Sequence, residues 1–267
     1  MLSPNIFNTI FVFPILNILV FFYKLFLFIK LPGAFGFAII ALTVLIRLLL
    51  HPFFKQQLVT SKKMQDLKPH IDRLSHKHKD DKKRLQEEQM KLYQQAGINP
   101  ASGCLFMIIQ IPVFIALYNT LSLFLMNGNA GKIISQINKA LYSPSLRIST
   151  IDSWFFGINL AVTPAKGGQW YYYLVPLITA LLQYLQTTAM TPASAPSPVV
   201  DDKKGGPSSA EATKGKDDFQ KAMSTQMKFI FPLMIGWFSY TLPLGLSLYW
   251  NIFSLFSIMQ YRNLQKK

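Results

Sequence analysis

Arg47 lies inside "FAIIALTVLIRLLLHPFF", residues 37–54, a run otherwise apolar enough for a bilayer. A guanidinium at that depth costs about 2.5–3.5 kcal/mol on insertion scales, so a cation there marks a candidate site for something anionic or wet. Snorkelling is the structural alternative, since a long side chain near a helix end reaches the interface. Lys55 is eight residues on, about 12 Å along a helix axis, which exceeds a comfortable snorkel. Thr43 lies one turn earlier on the same face. Further apolar runs carry Gln110 and Asn119, then Gln183, Gln186 and Thr187, then Ser247, Asn251 and Ser254. Each alone is ordinarily interhelical glue. Together with one cation they predict a wet, positively charged cavity. No Asp or Glu occurs in any of these runs, so Arg47 must meet water or an acid supplied from elsewhere. Trp250, near the middle of the last run, reads equally as core packing or as cavity lining.

Bond-breaking chemistry finds little support. His51, His70, His76 and His78 cluster at one end of the apolar runs, remote from the serines within them. Three of these histidines sit among Lys, Asp and Gln, a poor setting for a metal centre. Cys104 is the single cysteine, which excludes an intramolecular disulfide and a cysteine-based cluster; it reads as a small packing residue. No phosphate-binding glycine loop is present. The expectation is a non-enzyme with no catalytic residues, no metal and no cofactor.

The elements that must position Arg47 follow from hydropathy and charge. The chain has 267 residues, 51% of them hydrophobic, with a net charge of +15 and a mean hydropathy of +0.26. That combination fits apolar spans joined by cationic loops better than a basic nucleic-acid-binding domain, because the charge is concentrated between the runs. Five spans are predicted at 35–54, 103–125, 170–190, 227–241 and 245–261, the last two short for a bilayer. Residues 1–34 read as an interfacial helix, with an additional span as the alternative, since Pro14, Asn17, Lys24 and Lys30 interrupt the run. No small-residue cleavage site or lipid-anchor motif is visible, so the whole chain is read as mature.

Lys and Arg between the spans set the orientation. Eleven occur between Phe54 and Gly103, six from Thr191 to Lys228, and only Lys132, Lys139, Arg147 and Lys166 between Met126 and Gln169. Residues 55–102, 191–226 and the 262–267 tail are therefore cytoplasmic, and 126–169 is external. Within 55–102, Met64, Leu67, Ile71 and Leu74 make a helical stripe, as Leu85, Gln89, Leu92 and Ala96 do less cleanly. A break at 76–81 makes the pair a hairpin. Its Lys62, Lys63, Arg73, Lys77, Lys82, Lys83 and Arg84 form a cationic recruitment surface. Residues 191–218, rich in Pro, Ser, Ala, Gly and charge, read as a flexible insert.

Several stretches together resemble the YidC/Oxa/Alb membrane protein insertases. They are "FGFAIIALTVLIRLLLHPFFKQ", "SKKMQDLKPHI", "LYQQAGINPASGCLFMIIQIPVFIALY", "YYLVPLITALLQYLQ" and "FPLMIGWFSYTLPLGLSLYW". The resemblance covers most of 36–261, and the run 92–118 is its most specific part. It implies an all-α polytopic membrane protein: a five-helix core with a hydrophilic groove open to the cytosol and to lipid, a cytoplasmic helical hairpin, and an outer-leaflet helix before the first span. Arg47 matches the family's groove arginine, and Gln186 and Trp250 sit at positions like its groove glutamine and tryptophan. The chain resembles the short form, without the large extracytoplasmic domain. The usual Asn one turn after Trp250 is Ser254, with Asn251 displaced.

The function expected is an insertase and chaperone acting without nucleotide hydrolysis. Substrate would be read by Arg47, Thr43, Gln110, Gln186 and Trp250, with Gln183, Asn119 and Ser254 around them. The implied partners are nascent membrane proteins, the ribosome, anionic lipids and, as a candidate, a Sec channel; sequence-specific nucleic-acid binding is not expected. The short form implies a bacterial cytoplasmic membrane, with the C-terminus inside. The rival reading, a secondary transporter or channel for a small anion, predicts internal repeats, and none are evident. An intramembrane hydrolase would need a nucleophile and base at one depth, which the runs lack.

Overall fold

Proline and glycine decide where this chain's helices break. In a computed structural model, which describes residues 5–78, 81–98, 102–125, 130–190 and 226–265, two π-helical turns, Asn8–Val12 and Gln226–Ile230, run directly into α-helices. Those helices are α1, Phe13–Phe28, and a later one, Phe231–Thr241, and each has a proline as its second residue, Pro14 and Pro232. Proline cannot donate to the carbonyl four residues back and its ring collides with it; the wider turn absorbs the misfit.

Helix α2, Ala34–Leu49, starts after Gly33 in the left-handed region (φ +78°) and puts Arg47 in its last turn. Pro52 lies in the first turn of α3, His51–Lys77, and the two axes diverge by 68° across Leu50. Within the stretch 35–54 the first helix stops at Leu49, and residues 51–54 belong to α3. Helix α4, Lys82–Gln95, is capped by Asp81, whose carboxylate accepts from the Arg84 amide at 3.1 Å. It ends at Gly97 (φ +62°), where the Ile98 amide donates back to the Tyr93 carbonyl at 2.8 Å. Helices α3 and α4 occupy the stretch over which the hairpin is expected. Met64, Leu67, Ile71 and Leu74 are half-buried along one face, as their spacing requires.

Helix α5 is Ser102–Leu125 and α6 is Ala130–Lys139. An irregular stretch then leads to a minimal antiparallel hairpin, β1 Trp154–Phe155 and β2 Ile158–Asn159, with Phe155 opposite Ile158. Its two-residue tip, Phe156 (φ +46°) and Gly157 (φ +81°), has both residues left-handed, the arrangement that best matches strand twist. Helices α7 (Leu174–Met190), α8 (Phe231–Thr241) and α9 (Leu244–Gln265) complete the fold. The fold is predominantly helical, with these two-residue strands as its only sheet among the described residues. The last helix is 22 residues long, about 33 Å, and α8 is 11 residues long. The insert at 191–218 and residues 266–267 lie outside the described residues.

Helix α9 packs against α2 and α7, and also touches α3, α5 and α8. Small residues bring the backbones together: a Cβ on Gly236 would lie 2.9 Å from Ala180 Cβ, and one on Gly245 2.5 Å from Leu125 Cδ1. The first amides of α9, which have no partner within their own helix, donate to the segment between α6 and α7: Leu244 to the Val162 carbonyl at 3.0 Å and Gly245 to that of Leu160 at 2.9 Å.

The polar residues that interrupt the N-terminal run fasten it to the same segment. Asn17 accepts from the Tyr142 amide (2.7 Å) and donates to the Ala140 carbonyl (3.1 Å). The Tyr23 hydroxyl accepts from the Asp152 amide at 2.9 Å, and Lys24 donates to the Ser145 carbonyl. One face of α1 is buried through Ile15, Leu16, Leu19, Val20 and Tyr23, while Phe21, Leu25 and Phe28 are exposed. Among the described residues, Asn8–Phe28 is the one single helix long and apolar enough to cross a membrane, and α2 with α3 pass the same test as a bent pair.

Candidate functional site

Arg47 is buried, with 2% of its surface exposed. Its guanidinium lies between two phenylalanine rings, Cζ being 4.0 Å from the centroid of Phe54 and 3.8 Å from that of Phe253. Phe54 is brought there by the bend at Leu50, which swings the first turn of α3 across the end of α2. Phe253 belongs to α9. A desolvated cation over an aromatic face gains up to about 2 kcal/mol.

The hydrogen bonds of Arg47 all run to α9. Nη2 donates to the Phe253 carbonyl at 2.7 Å and to the Ser257 hydroxyl, and Nη1 donates to Gln260 Oε1 at 3.3 Å. Gln260 Nε2 in turn lies 3.3 Å from His51 Nδ1. Residues 253, 257 and 260 share one α-helical face. Nε is buried without a partner among the described residues. Every acceptor is therefore neutral, and among the described residues no carboxylate pairs with this charge. Such an arrangement holds a cation ready for an anion without neutralising it in advance.

The other predicted residues distribute around α9. Gln110 donates to the Tyr249 hydroxyl at 3.2 Å, tying α5 to α9. Trp250 is buried and stacks on Phe114, centroids 5.5 Å apart and planes 17° from parallel. Gln183 accepts from Ser254 at 3.4 Å, joining α7 to α9. Gln186 is half-buried, and among the described residues its Oε1 is enclosed with no hydrogen-bond partner, as is Oδ1 of Asn251. Thr43 is buried above Arg47, but its hydroxyl donates to the Ile39 carbonyl at 2.7 Å within its own helix; Thr187 likewise donates to Gln183. Asn119 is half-buried on α5. On the hairpin, Lys63, Arg73, Lys77, Lys83 and Arg84 are exposed and Lys62 is half-buried; Lys82 is the first residue of α4.

Phe54, Phe253, Ser257 and Gln260 were not among the residues singled out from sequence. Their signal was available in part: Ser247, Trp250, Ser254 and Ser257 follow one another at three- and four-residue steps. The bend that recruits Phe54 has no such periodic signature.

A family model described as the 60Kd inner membrane protein matches residues 26–267. Among curated proteins, the chain is similar to the inner membrane ALBINO3-like protein 2, chloroplastic, of Chlamydomonas reinhardtii, 33% identical over 236 residues, 86% of this chain and 50% of that protein. It is similar also to the inner membrane protein ALBINO3, chloroplastic, of Arabidopsis thaliana, 31% identical over 245 residues, 89% of this chain and 48% of that protein. The membrane protein insertase YidC of Chlamydia trachomatis is 31% identical over 232 residues, 86% of this chain and 25% of that protein. The chain thus spans about half the length of the chloroplast relatives and a quarter of the bacterial one.

Proposed function

The chain belongs to the 60Kd inner membrane protein family, the YidC/Oxa/Alb group, and on that premise we propose that it is a membrane protein insertase working without nucleotide hydrolysis. The observation that carries the reading is the state of Arg47: buried, cationic, and bonded only to neutral acceptors of α9. The present bonds of Arg47 carry charge on the donor side alone, whereas a carboxylate acceptor puts opposite charges on both sides and accepts from the guanidinium as a bidentate pair, the stronger arrangement. A carboxylate on an incoming nascent segment would therefore displace Ser257 and Gln260 and leave the rest of the cluster in place.

In this reading Arg47, Thr43, Gln110, Gln186 and Trp250 line the path of the substrate, open to the cytosol, with Gln183, Asn119 and Ser254 beside them. The charge of a short acidic tail is held by Arg47 while its apolar segment moves sideways past α2, α7 and α9 into lipid, driven by hydrophobic burial. The exposed Lys and Arg of the α3–α4 hairpin draw in ribosome, nascent chain or anionic lipid, and a Sec channel is a candidate partner. The core spans the membrane five times, through α2, α5, α7, α8 and α9, with the hairpin and the C-terminus cytoplasmic.

Helix α1 then lies at the outer interface, despite being apolar enough to cross. Its middle is fastened to the irregular backbone of 140–152 through Asn17, Tyr23 and Lys24. Irregular backbone is not tolerated against hydrocarbon, so that stretch and the helix beside it belong at headgroup level.

The test is photocrosslinking from positions 43 and 250 to a ribosome-bound nascent chain with an acidic tail, in membranes. Crosslinks that fade when the tail's acids are neutralised are expected. Crosslinks to lipid alone would make Arg47 a structural arginine and remove the charge-reading step.

A further inference from the structure

The β1–β2 tip places a residue where local rules reject it. Both tip positions need positive φ, which Asn, Asp and Gly tolerate and bulky side chains resist. Gly157 complies, whereas Phe156 does not, and its ring is 73% exposed. Trp154, on the outer side of β1, is 54% exposed. Within the fold the Phe156 ring gains only edge contacts with Phe37 and Phe155, while most of its surface stays open at a strained backbone position, so the bulk of its contact surface is available to something outside the fold.

The hairpin is a rigid mount for that ring. Phe155, which alternates with Trp154, fills a notch over α2: a Cβ on Gly33 would come within 2.8 Å of its Cδ2, and one on Gly36 within 2.2 Å. Phe37 meets Phe155 and Phe156 at centroid distances of 5.3 and 5.8 Å, and Phe26 of α1 lies 6.0 Å from Phe37. A continuous run of rings thus joins the tip to α1, whose exposed face is Phe21, Leu25 and Phe28.

We propose that the Trp154–Phe156 tip is a lipid-dipping wedge that extends the apolar face of α1 and fixes the protein's depth in the outer headgroup layer. Three observations favour lipid over a protein partner. Residues 153–165 contain no charged side chain, so there is nothing to steer or orient a folded partner. The tip is continuous, through these rings, with the exposed apolar face of α1. Large aromatic rings beside a turn whose backbone needs water suit the interface, with the rings in glycerol and acyl carbon and the backbone wet. The inference rests on the membrane location and not on insertase activity, and its test reads depth alone.

The test uses Cys104→Ser with Phe156→Cys carrying an NBD fluorophore, in lipid nanodiscs whose two faces are both open to solvent. Lys166→Cys, at an exposed external position, is the aqueous reference. Label at 156 should lose most of its emission to lipid bearing a nitroxide high on the acyl chain and little to iodide, with the reverse at 166. Equal iodide quenching at both sites would place the tip in water, and protection from both quenchers would mean a protein covers it; either overturns the proposal. Trp154→Cys in the same background gives the same reading should the 156 variant fail to fold.

Discussion

Two buried polar clusters meet on α9, and they differ in the one respect that separates glue from a site. Toward its N-terminal end, Ser239 of α8 donates to Thr179 of α7 at 3.3 Å and shares a 2.7 Å hydrogen bond with Ser247 of α9, while Thr179 donates to the Val175 carbonyl at 2.8 Å. All three hydroxyls are buried, neutral and partnered. Toward the other end, the Arg47 cluster is charged and, among the described residues, has no acid and keeps Nε unpaired. Neutral, closed networks join helices. A buried cation with spare donor capacity is costly for stability alone, and its retention fits a charge that is used by something passing through.

The largest expected effect breaks the charged side of that comparison. Arg47→Glu and Arg47→Ala should each reduce insertion of an acidic-tailed substrate at least about tenfold, the factor that 1.4 kcal/mol represents, in a protease-protection assay on reconstituted vesicles. Arg47→Lys should recover part of it, because an ammonium keeps the charge but loses the planar fork and the stacking on Phe54 and Phe253. Unchanged insertion of every acidic-tailed substrate by the Glu variant would refute the electrostatic account.

A smaller effect is expected at Gln186, whose enclosed Oε1 has no partner among the described residues. Gln186→Leu removes an unsatisfied acceptor and keeps the volume, so by packing alone it should be neutral or stabilising by up to about 1–3 kcal/mol. If the amide serves substrate or its water, the variant melts at the same or a higher temperature in detergent yet inserts a few-fold more slowly. Destabilisation with normal insertion would move Gln186 to the glue side.

Much of this arrangement was legible in sequence, for reasons that differ by element. Helices α3 and α4 followed from apolar spacing and from Gly97, because a helix stripe and a left-handed C-cap are local properties. Arg47 stood out because a charge is rare in an apolar run, whereas Gln186 was set apart from Gln183 only by the family resemblance. The break at Leu50 was not: Pro52 is as acceptable in a helix's first turn as in a kinked span, and only tertiary packing decides between them. The residues that close over Arg47 depend on that break and on the helical register of α9, neither of which hydropathy reports. Thr179 and Ser239 were invisible for the opposite reason, since one hydroxyl in an apolar helix carries no signal until its partners on two other helices are known.

The smallest expected effect tests the neutral side. Ser239→Ala removes the central hydroxyl, leaving Thr179 with its Val175 bond and Ser247 without its partner. Interhelical hydrogen bonds in membranes average about 0.6 kcal/mol, so the variant should unfold slightly more easily in detergent and insert substrate normally. Combining it with Arg47→Lys should give additive losses, since the two clusters share no hydrogen-bonding residue. A loss of insertion by Ser239→Ala comparable to that of Arg47→Ala would show that the hydroxyl chain moves during substrate passage. The two ends of α9 would then be one device rather than a joint and a site.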